Sequence, residues 1–461
     1  MPKQILLLAS TALITVSCAS TPMYDVNSAS VSPAPVWTAV PNLPADQLDD
    51  WVTSFNDPVL AALVSEADRS NYSLAASVAR YEAAQASVRS ANAGRLPSIS
   101  TSGGVTQRES NAASSTSYSL GASVSWEADV WGRLSDRARA GIADADASAA
   151  DLQAARLSIA GFVAKGWFSL IEARLQTELA ERDVLTKERS VSLVERRFQR
   201  GVSRSSDVRT ARSALSSSRA ALASRRRVEA AAARSLETFL GRYPDAMIPH
   251  DNDLPDLADI SGVGAPGDLL ARRPDILAAE ARLNAAGYRA SEARRALLPR
   301  LTLTGSLDSG APDLGDLLDT DAMLATFIGN LTAPVFSGGA LRAERDRAAA
   351  SARAALATYS NTVLTAWREA EDAIYADQIL AERVDELTLA FENAAAAEEL
   401  LLRQYTSGVS TIFELLDAQS RRISSESFLI SARRERATNR VDLYLAIAGN
   451  FRTAPLSAAE G

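Results

Sequence analysis

The two residue types that most often carry metal and redox chemistry occur once each in this chain of 461 residues, as His250 and Cys18. A zinc site built from His and Cys needs several such ligands together, and a disulfide needs two thiols. Both are therefore excluded. Carboxylates are plentiful but do not gather around a nucleophile. They alternate with arginine along helix-like stretches, as in Glu371-Asp372 and Arg433-Arg434-Glu435-Arg436, which reads as solvated helix faces. No pocket for nucleophilic catalysis can be read from them, so an enzyme is the reading with least support. Lys and Arg number 48 against 56 Asp and Glu, a net charge of −8 with the signs interspersed. Phosphate contacts need clustered basic residues, so no nucleic-acid partner is expected. His250 lies among Pro244, Pro249, Pro255 and Pro266, where a solvated loop residue is the simpler reading than a ligand.

Cys18 has a different context. Lys3 precedes an apolar run, Ile5-Leu6-Leu7-Leu8-Ala9, that continues through Leu13 and Ile14 to Val16-Ser17-Cys18. A basic start, a short apolar stretch and a small residue before the break read as a secretory signal over residues 1–17. The stretch is shorter than the ~20 residues of a membrane span. With cysteine at the cleavage point, the segment resembles a bacterial lipobox. A covalent lipid is then expected on Cys18: diacylglycerol on the thiol and an acyl chain such as palmitate on the freed amine. Thr15 departs from the pattern, in which Leu is usual, and an ordinary signal peptide with an incidental cysteine is the alternative. Ala19 follows the cysteine, which resembles sorting to the outer membrane in Gram-negative lipoproteins. Residues 18–56 then form an extended segment, rich in Ser, Pro, Ala and Thr at its start. Beyond it there is no run of 18 apolar residues. No transmembrane helix is expected, and any spanning part must be β.

These residues are positioned by a chain that repeats itself once. Leu96-Pro97 precedes an alternating segment, and Leu298-Pro299 does so 202 residues later. Phe198-Gln199-Arg200-Gly201-Val202-Ser203 matches Tyr405-Thr406-Ser407-Gly408-Val409-Ser410 at an offset of 207. Each half reads as helix, two strands, a very long helix, a Gly-Val-Ser turn and a helix. The first repeat covers 57–241, with strands near 97–127 and long helices near 131–239. A linker covers 242–266. The second repeat covers 267–450, with strands near 299–335 and long helices near 339–448, and a tail runs from 451 to 461. In the second half Tyr359, Ala366, Ala373, Leu380, Leu387, Ala394 and Leu401 recur every seventh residue. Val363, Ala370, Val384, Phe391 and Tyr405 fill the positions four later, broken by Asp377 and Glu398. That is a coiled-coil seam. The helix from about 340 to 406 would be ~100 Å long at 1.5 Å per residue. A long coiled-coil rod or scaffold would satisfy the helices equally well.

The strands favour another answer. Tyr118, Leu120, Ala122, Val124 and Trp126 alternate with Ser119, Gly121, Ser123, Ser125 and Glu127. Ile99, Thr101, Gly103 and Val105 alternate less cleanly. Leu301, Leu303 and Leu307 form a third set, and Phe327, Gly329, Leu331, Ala333 and Val335 a fourth. Polar loops, Arg108 to Ser117 and Asp308 to Asp321, join the pairs. Each segment has about the ~10 residues of a tilted membrane strand. Four strands cannot close a barrel, and open edges in lipid are forbidden, so several chains would have to pool their strands. Two soluble hairpins capping a helical bundle remain the alternative.

Three motifs carry a resemblance. Arg272-Arg273-Pro274-Asp275-Ile276-Leu277-Ala278-Ala279-Glu280-Ala281-Arg282-Leu283, followed by Leu298-Pro299-Arg300-Leu301-Thr302-Leu303-Thr304-Gly305, resembles the TolC-like outer-membrane efflux lipoproteins of the NodT-type branch. Ser125-Trp126-Glu127-Ala128-Asp129-Val130-Trp131-Gly132-Arg133 is similar to that family's strand-to-helix junction, and Leu415-Leu416-Asp417-Ala418-Gln419 to its lower helical turn. Read locally, Pro274 suits a first helical turn and Asp275 the positive helix end. The resemblance implies a mainly α duct with membrane β structure: a homotrimer with a twelve-stranded β-barrel in the outer membrane and a twelve-helix α-barrel through the periplasm. It implies a passive exit for drugs or other small molecules, with no catalysis and no cofactor beyond the lipid. The implied partners are a periplasmic adaptor, an inner-membrane pump of the resistance–nodulation–division type and outer-membrane lipid.

The same resemblance assigns roles to residues. Gly201, Val202, Ser203, Gly408, Val409 and Ser410 resemble adaptor-docking tips, although a glycine ending a long helix is required by the left-handed cap alone. Asp417 matches an aperture aspartate and Phe413, one turn earlier, an apolar gate position. Rings of carboxylates attract cations, and apolar constrictions gate by dewetting. Where the family often has an arginine three residues after the aspartate, this chain has Ser420, then Arg421 and Arg422, so the pore's tethering network is expected to be wired differently. A solvated surface charge is the alternative for Asp417. Glu414 and Asp207 are secondary candidates. Two further readings stay open: an exit duct for secreted proteins, and a structural periplasmic coiled-coil lipoprotein or adaptor. An adaptor should carry a lipoyl-like β domain and one helical hairpin, against which the duplicated plan argues.

Overall fold

The computed structural model describes residues 29, 31–39, 51–110, 113–249, 252–260 and 262–447. Cys18, His250 and the C-terminal tail lie outside the described residues. In chain order the elements are α1 (Pro58–Ser70), α2 (Tyr72–Ala93), β1 (Ser98–Ser110), β2 (Ala113–Ala128), α3 (Arg133–Gln199), α4 (Ser205–Phe239), α5 (Leu269–Arg272), α6 (Pro274–Arg295), β3 (Arg300–Ala311), β4 (Met323–Thr332), α7 (Ala340–Ser407) and α8 (Ile412–Ala446). The long helices of the halves correspond almost residue for residue, with 67 against 68 residues and 35 against 35. The second half's extra residues fall in the hairpin and in the strand-to-helix junction, 333–339 against 129–132. Two compact units are distinguished. One is built from Arg80–Ala149 and Ala278–Thr362, the other from Ser32–Ala79, Ala150–Leu277 and the chain from Val363 onward.

The first unit holds a four-stranded antiparallel meander in the order β1-β2-β3-β4. Period-two alternation puts one residue set on each face. The register places Ile99 against Val124, Val124 against Gly305 and Gly305 against Phe327, so the apolar positions of all four strands share a face. On the other face Ser100 and Ser123 pair through their hydroxyls at 2.9 Å. Gly305 is small for a reason: a Cβ there would sit 3.0 Å from Val124 and 3.1 Å from the Phe327 ring.

Three strand boundaries differ from the sequence reading, the first being that β3 runs on through Asp308 to Ala311, so the second polar loop starts later than Asp308. Most of the first polar stretch is strand, because pairing continues through Arg108↔Ser115 and Glu109↔Ser114 to Ser110↔Ala113. Hydrogen-bonded partners on the facing strand outweigh the polar composition. The fourth strand ends at Thr332, so Ala333 and Val335 fall outside it. Pro334 lies two residues beyond Thr332, and proline cannot donate to a ladder.

The junction motif explains itself in contacts. The Trp126 indole donates to the Arg95 carbonyl at 2.9 Å, and the Trp131 indole to the Pro299 carbonyl at 2.6 Å. Asp129 accepts from the backbone N–H groups of Leu134 and Ser135, satisfying open donors at the start of α3. Arg133 grips both oxygens of Glu127. One short motif thus turns a strand into a helix and ties it to its repeat-related neighbour. Alanine lets α6 and α7 approach closely, through Ala290, Ala293, Ala348 and Ala352.

The second unit is organised by a buried aromatic cluster of Trp51, Phe55, Phe168 and Tyr444, with Phe55 and Phe168 centroids 5.1 Å apart. Burying each such ring stabilises by roughly 1.5–3 kcal/mol. Asp57 caps α1 through Val59 and Leu60 and also accepts from the Trp167 indole at 2.6 Å. The seam positions Tyr359, Val363, Ala366, Ala370, Ala373, Leu380 and Tyr405 are buried in their respective units. The seam's two breaks are ion pairs. Asp377 receives two hydrogen bonds from Arg440, each at 2.9 Å, and Glu398 pairs with Arg422.

Part of the charged stretches read as solvated faces forms ties to other elements. Glu371 accepts from the backbone of Thr38 and Ala39 at 2.7 and 3.0 Å, and Arg434 pairs with Glu172 at 2.9 Å. Glu435 pairs with Arg383 at 2.5 Å, and Arg436 lies 3.9 Å from Asp259. Asp372, Arg433 and Glu435 remain exposed, as expected of solvated faces, whereas Glu371, Arg434 and Arg436 are half-buried against a neighbouring element. The linker is held by carbonyls: Asn252 accepts from Arg174, Ala258 from Arg440 and Gly264 from the Trp37 indole. The expectation of no transmembrane helix rested on the lack of a continuous apolar run, but one long helix reaches span-like average composition. Within α3 an 18-residue stretch reaches a mean hydropathy of 1.2, with half of it buried inside the chain. Leu, Ile, Phe and Ala interrupted by isolated residues such as Arg156 and Lys165 raise the average without forming a continuous apolar run.

Candidate functional site at the two Gly-Val-Ser turns

Both turns close a long helix in the same way. Gly201 and Gly408 adopt φ of +75° and +83°, the left-handed region that favours glycine. The Gly201 N–H donates to Phe198 and the Val202 N–H to Arg197; Gly408 donates to Tyr405 and Val409 to Gln404. These paired bonds form a Schellman cap that satisfies the last helical carbonyls. Val202 and Val409 are left 63% and 77% exposed. The serines turn back into the structure. Ser203 donates to Asp207 at 2.9 Å, and Ser410 to the Leu401 carbonyl at 3.3 Å.

The secondary candidates prove to be caps of the following helices. Asp207 accepts from the Arg204 N–H, and Glu414 from the Thr411 N–H and hydroxyl. The backbone N–H bonds hold both carboxyls below their ordinary range. A depressed carboxyl contributes its full stabilisation above the ordinary carboxyl range and loses it progressively as pH falls from there to the lowered folded value. The caps therefore persist in mildly acidic medium.

The two turns are neighbours. Arg197 donates to the Tyr405 carbonyl at 2.9 Å and lies 4.8 Å from the centroid of the Tyr405 ring, a cation–π distance. Tyr405, Val194, Ala211, Ile412 and Leu415 form the apolar cluster beneath them. Burial pushes the Tyr405 hydroxyl upward.

Phe413 and Asp417 share an exposed face of α8, one helical turn apart. Phe413 is 59% exposed. Asp417 pairs with Arg421 at 2.7 Å, and Arg422 instead bridges Glu398 and Glu426. Both arginines are thus occupied within this chain.

A buried polar group nearby escaped the sequence reading. Lys187 donates to Gln419 at 3.0 Å, Gln419 donates to Ser190 at 3.1 Å, and Asp183 lies 3.8 Å from Lys187. Burial pushes the Asp183 carboxyl up and the Lys187 ammonium down. The available signal was that Asp183, Lys187 and Ser190 occupy one helical stripe, and that Gln419 closes the Leu415–Gln419 motif.

Comparison with known proteins agrees with this geometry. A sequence profile for outer membrane efflux proteins matches residues 63–242 and 265–449, one segment in each half. The chain belongs to the outer membrane efflux protein family. The pyoverdine export outer membrane protein OpmQ of Pseudomonas aeruginosa is 30% identical over 461 residues, spanning 97% of each chain. Outer membrane protein OprJ of the same organism is 30% identical, spanning 94% of this chain and 93% of its own. The open-state MtrE channel of Neisseria gonorrhoeae superposes with a TM-score of 0.83 at 28% identity, over 94% of this chain and 98% of that one. The protein is therefore an outer-membrane efflux channel with a TolC-like, mainly helical fold and a periplasmic helical extension. Its family is a transport duct rather than a class of enzymes. The rod and adaptor readings give way to it.

Proposed function

We propose that the protein acts as a homotrimer that closes a twelve-stranded barrel and a twelve-helix tube, forming the passive exit of a tripartite pump. The observation that carries this reading is the open sheet. β1 and β4 each have one neighbour, and the sheet exposes Ile99 at 79%, Phe327 at 86% and Leu331 at 70%. Apolar faces and unpaired edges are stable in lipid only when the sheet closes, and four strands are too few. A periplasmic adaptor seats on Gly201, Val202, Ser203, Gly408, Val409 and Ser410, and an inner-membrane pump of the resistance–nodulation–division type delivers the cargo. That cargo is small molecules, in keeping with relatives named for export of pyoverdine and toluene. The test is a heat-sensitive trimer band from outer-membrane fractions on SDS gels, paired with drug susceptibility of a deletion strain. A monomer at low temperature, or unchanged susceptibility, overturns the reading.

Three copies of Phe413 and Asp417 form the narrowest rings of the tube in this proposal. Asp417→Ala removes both the carboxylate ring and the partner of Arg421. Single-channel conductance in planar bilayers is expected to rise about two- to fivefold, since charge and apolar rings set the barrier at a constriction. Unchanged conductance removes Asp417 from the aperture.

Cys18 carries diacylglycerol and an N-acyl chain in this reading, anchoring the segment that precedes Trp37. Cys18→Ser is expected to abolish labelling by a radioactive fatty acid while leaving the trimer band intact. A wild-type mature N-terminus found unacylated by mass spectrometry refutes the lipid.

A further inference from the structure

The two turns share a backbone but not a charge. At the offset of 207, Arg197, Arg200, Arg204, Arg209 and Arg212 stand where the second half has Gln404, Ser407, Thr411, Leu416 and Gln419. Between Glu195 and Arg212 there are six arginines and two carboxylates. Between Leu402 and Gln419 there are one arginine and two carboxylates. Arg196, Arg200 and Arg209 are exposed, and no ion pair with a described carboxylate engages them. Beside this turn, α3 and α4 enclose a groove of about 700 Å³, lined by Phe198, Val208, Arg209 and Arg212 among others. Phe198 is 46% exposed there. Along the walls Arg212, Arg219 and Arg226 pair with Glu195, Glu188 and Glu181 at 2.7, 2.8 and 2.8 Å, a rung every seventh residue. The ladder neutralises Arg212, Arg219 and Arg226, while Arg196, Arg200 and Arg209 at the tip are left without such a partner among the described residues. At the second turn the groove residue Arg209 is replaced by Leu416, packed against the apolar cluster.

We propose that the first turn is a charge-selective docking site for a carboxylate-rich tip of the periplasmic adaptor, and that the second turn is not its equal but a weakly charged, apolar seat presenting Val409. The proposal rests on the duct reading and adds to it which of the two turns the adaptor's acidic residues choose. Exposed arginines around an apolar floor suit a helical tip that offers one apolar side chain flanked by Asp or Glu. Complementary charge sets partner choice and encounter rate and is screened by salt.

The test uses full-length protein in detergent and two synthetic helical-hairpin peptides, identical except that the tip of one carries glutamates and the other glutamines. The glutamate hairpin is expected to bind at least tenfold more tightly at low salt and to lose that advantage at high salt. R200E/R209E is expected to weaken it at least tenfold, and the milder R200Q/R209Q by an intermediate factor. The variant R403E/S407E, at exposed positions of the second turn, is expected to change it less than twofold. Equal binding of the two hairpins, equal losses from the two glutamate-bearing variants, or equally tight binding of phosphatidylglycerol vesicles overturns the proposal. These outcomes leave the trimer band and the susceptibility phenotype untouched, whereas failure of those two measurements sinks the duct reading itself.

Discussion

Arg440→Met is expected to destabilise the second unit by about 3–5 kcal/mol, because it strands a buried carboxylate. Arg440 is 5% exposed and Asp377 is 3% exposed. The guanidinium gives both carboxylate oxygens a hydrogen bond and a third to the Ala258 carbonyl at 2.8 Å, so one side chain joins α7, α8 and the linker. Asp377 would keep its desolvation cost and lose its compensation. The double variant Asp377→Leu/Arg440→Met removes both charges and is expected to recover most of the loss, since an apolar pair of similar volume is often neutral or better. Chemical denaturation in detergent reads the difference. A single-variant loss below about 1 kcal/mol would mean that water reaches the pair.

The second large effect is expected at Trp167. Its ring is fully buried, and its indole N–H donates to Asp57. Truncation to alanine should cost about 3–5 kcal/mol through the cavity alone. The damage spreads because Asp57 also caps α1 and accepts from Asn252 of the linker at 3.0 Å. Trp167→Phe keeps most of the volume and loses the hydrogen bond, so a smaller loss of about 1–2 kcal/mol is expected. If the two substitutions cost the same, the hydrogen bond to Asp57 rather than ring packing dominates at this position.

Both residues show where a sequence stops being legible. Asp377 was visible as a break in a heptad, but its meaning was not. Its partner lies 63 residues away, and only the register of α7 against α8 brings them together. The same holds for Glu398 with Arg422 and for Lys187 with Gln419, 232 residues apart. Glu371, Arg434 and Arg436 were misread as solvated, while Arg433 and Glu435 are exposed as expected, because composition cannot show which charged face will meet another element. Arg273 illustrates both sides. Its motif marked a helix start correctly in α6, but the buried side chain also holds Asp275, Glu369 and the Ala446 carbonyl.

Local chemistry alone determined the duplication, the element types, the heptad seams, the alternating strands and the glycine caps at 201 and 408. Each of these depends on neighbours a few residues apart along the chain, where 3.6- and 2-residue periods and a positive φ leave direct marks. The tertiary structure decided the rest. It settled where β4 stops, that the first hairpin stays paired as far as Ser110 and Ala113, which arginine meets which carboxylate, and which of the arginines near the first turn are left without an ion pair among the described residues. Those outcomes depend on how helices and strands remote in sequence are laid side by side, and a periodic pattern fixes which face is buried without naming what will cover it.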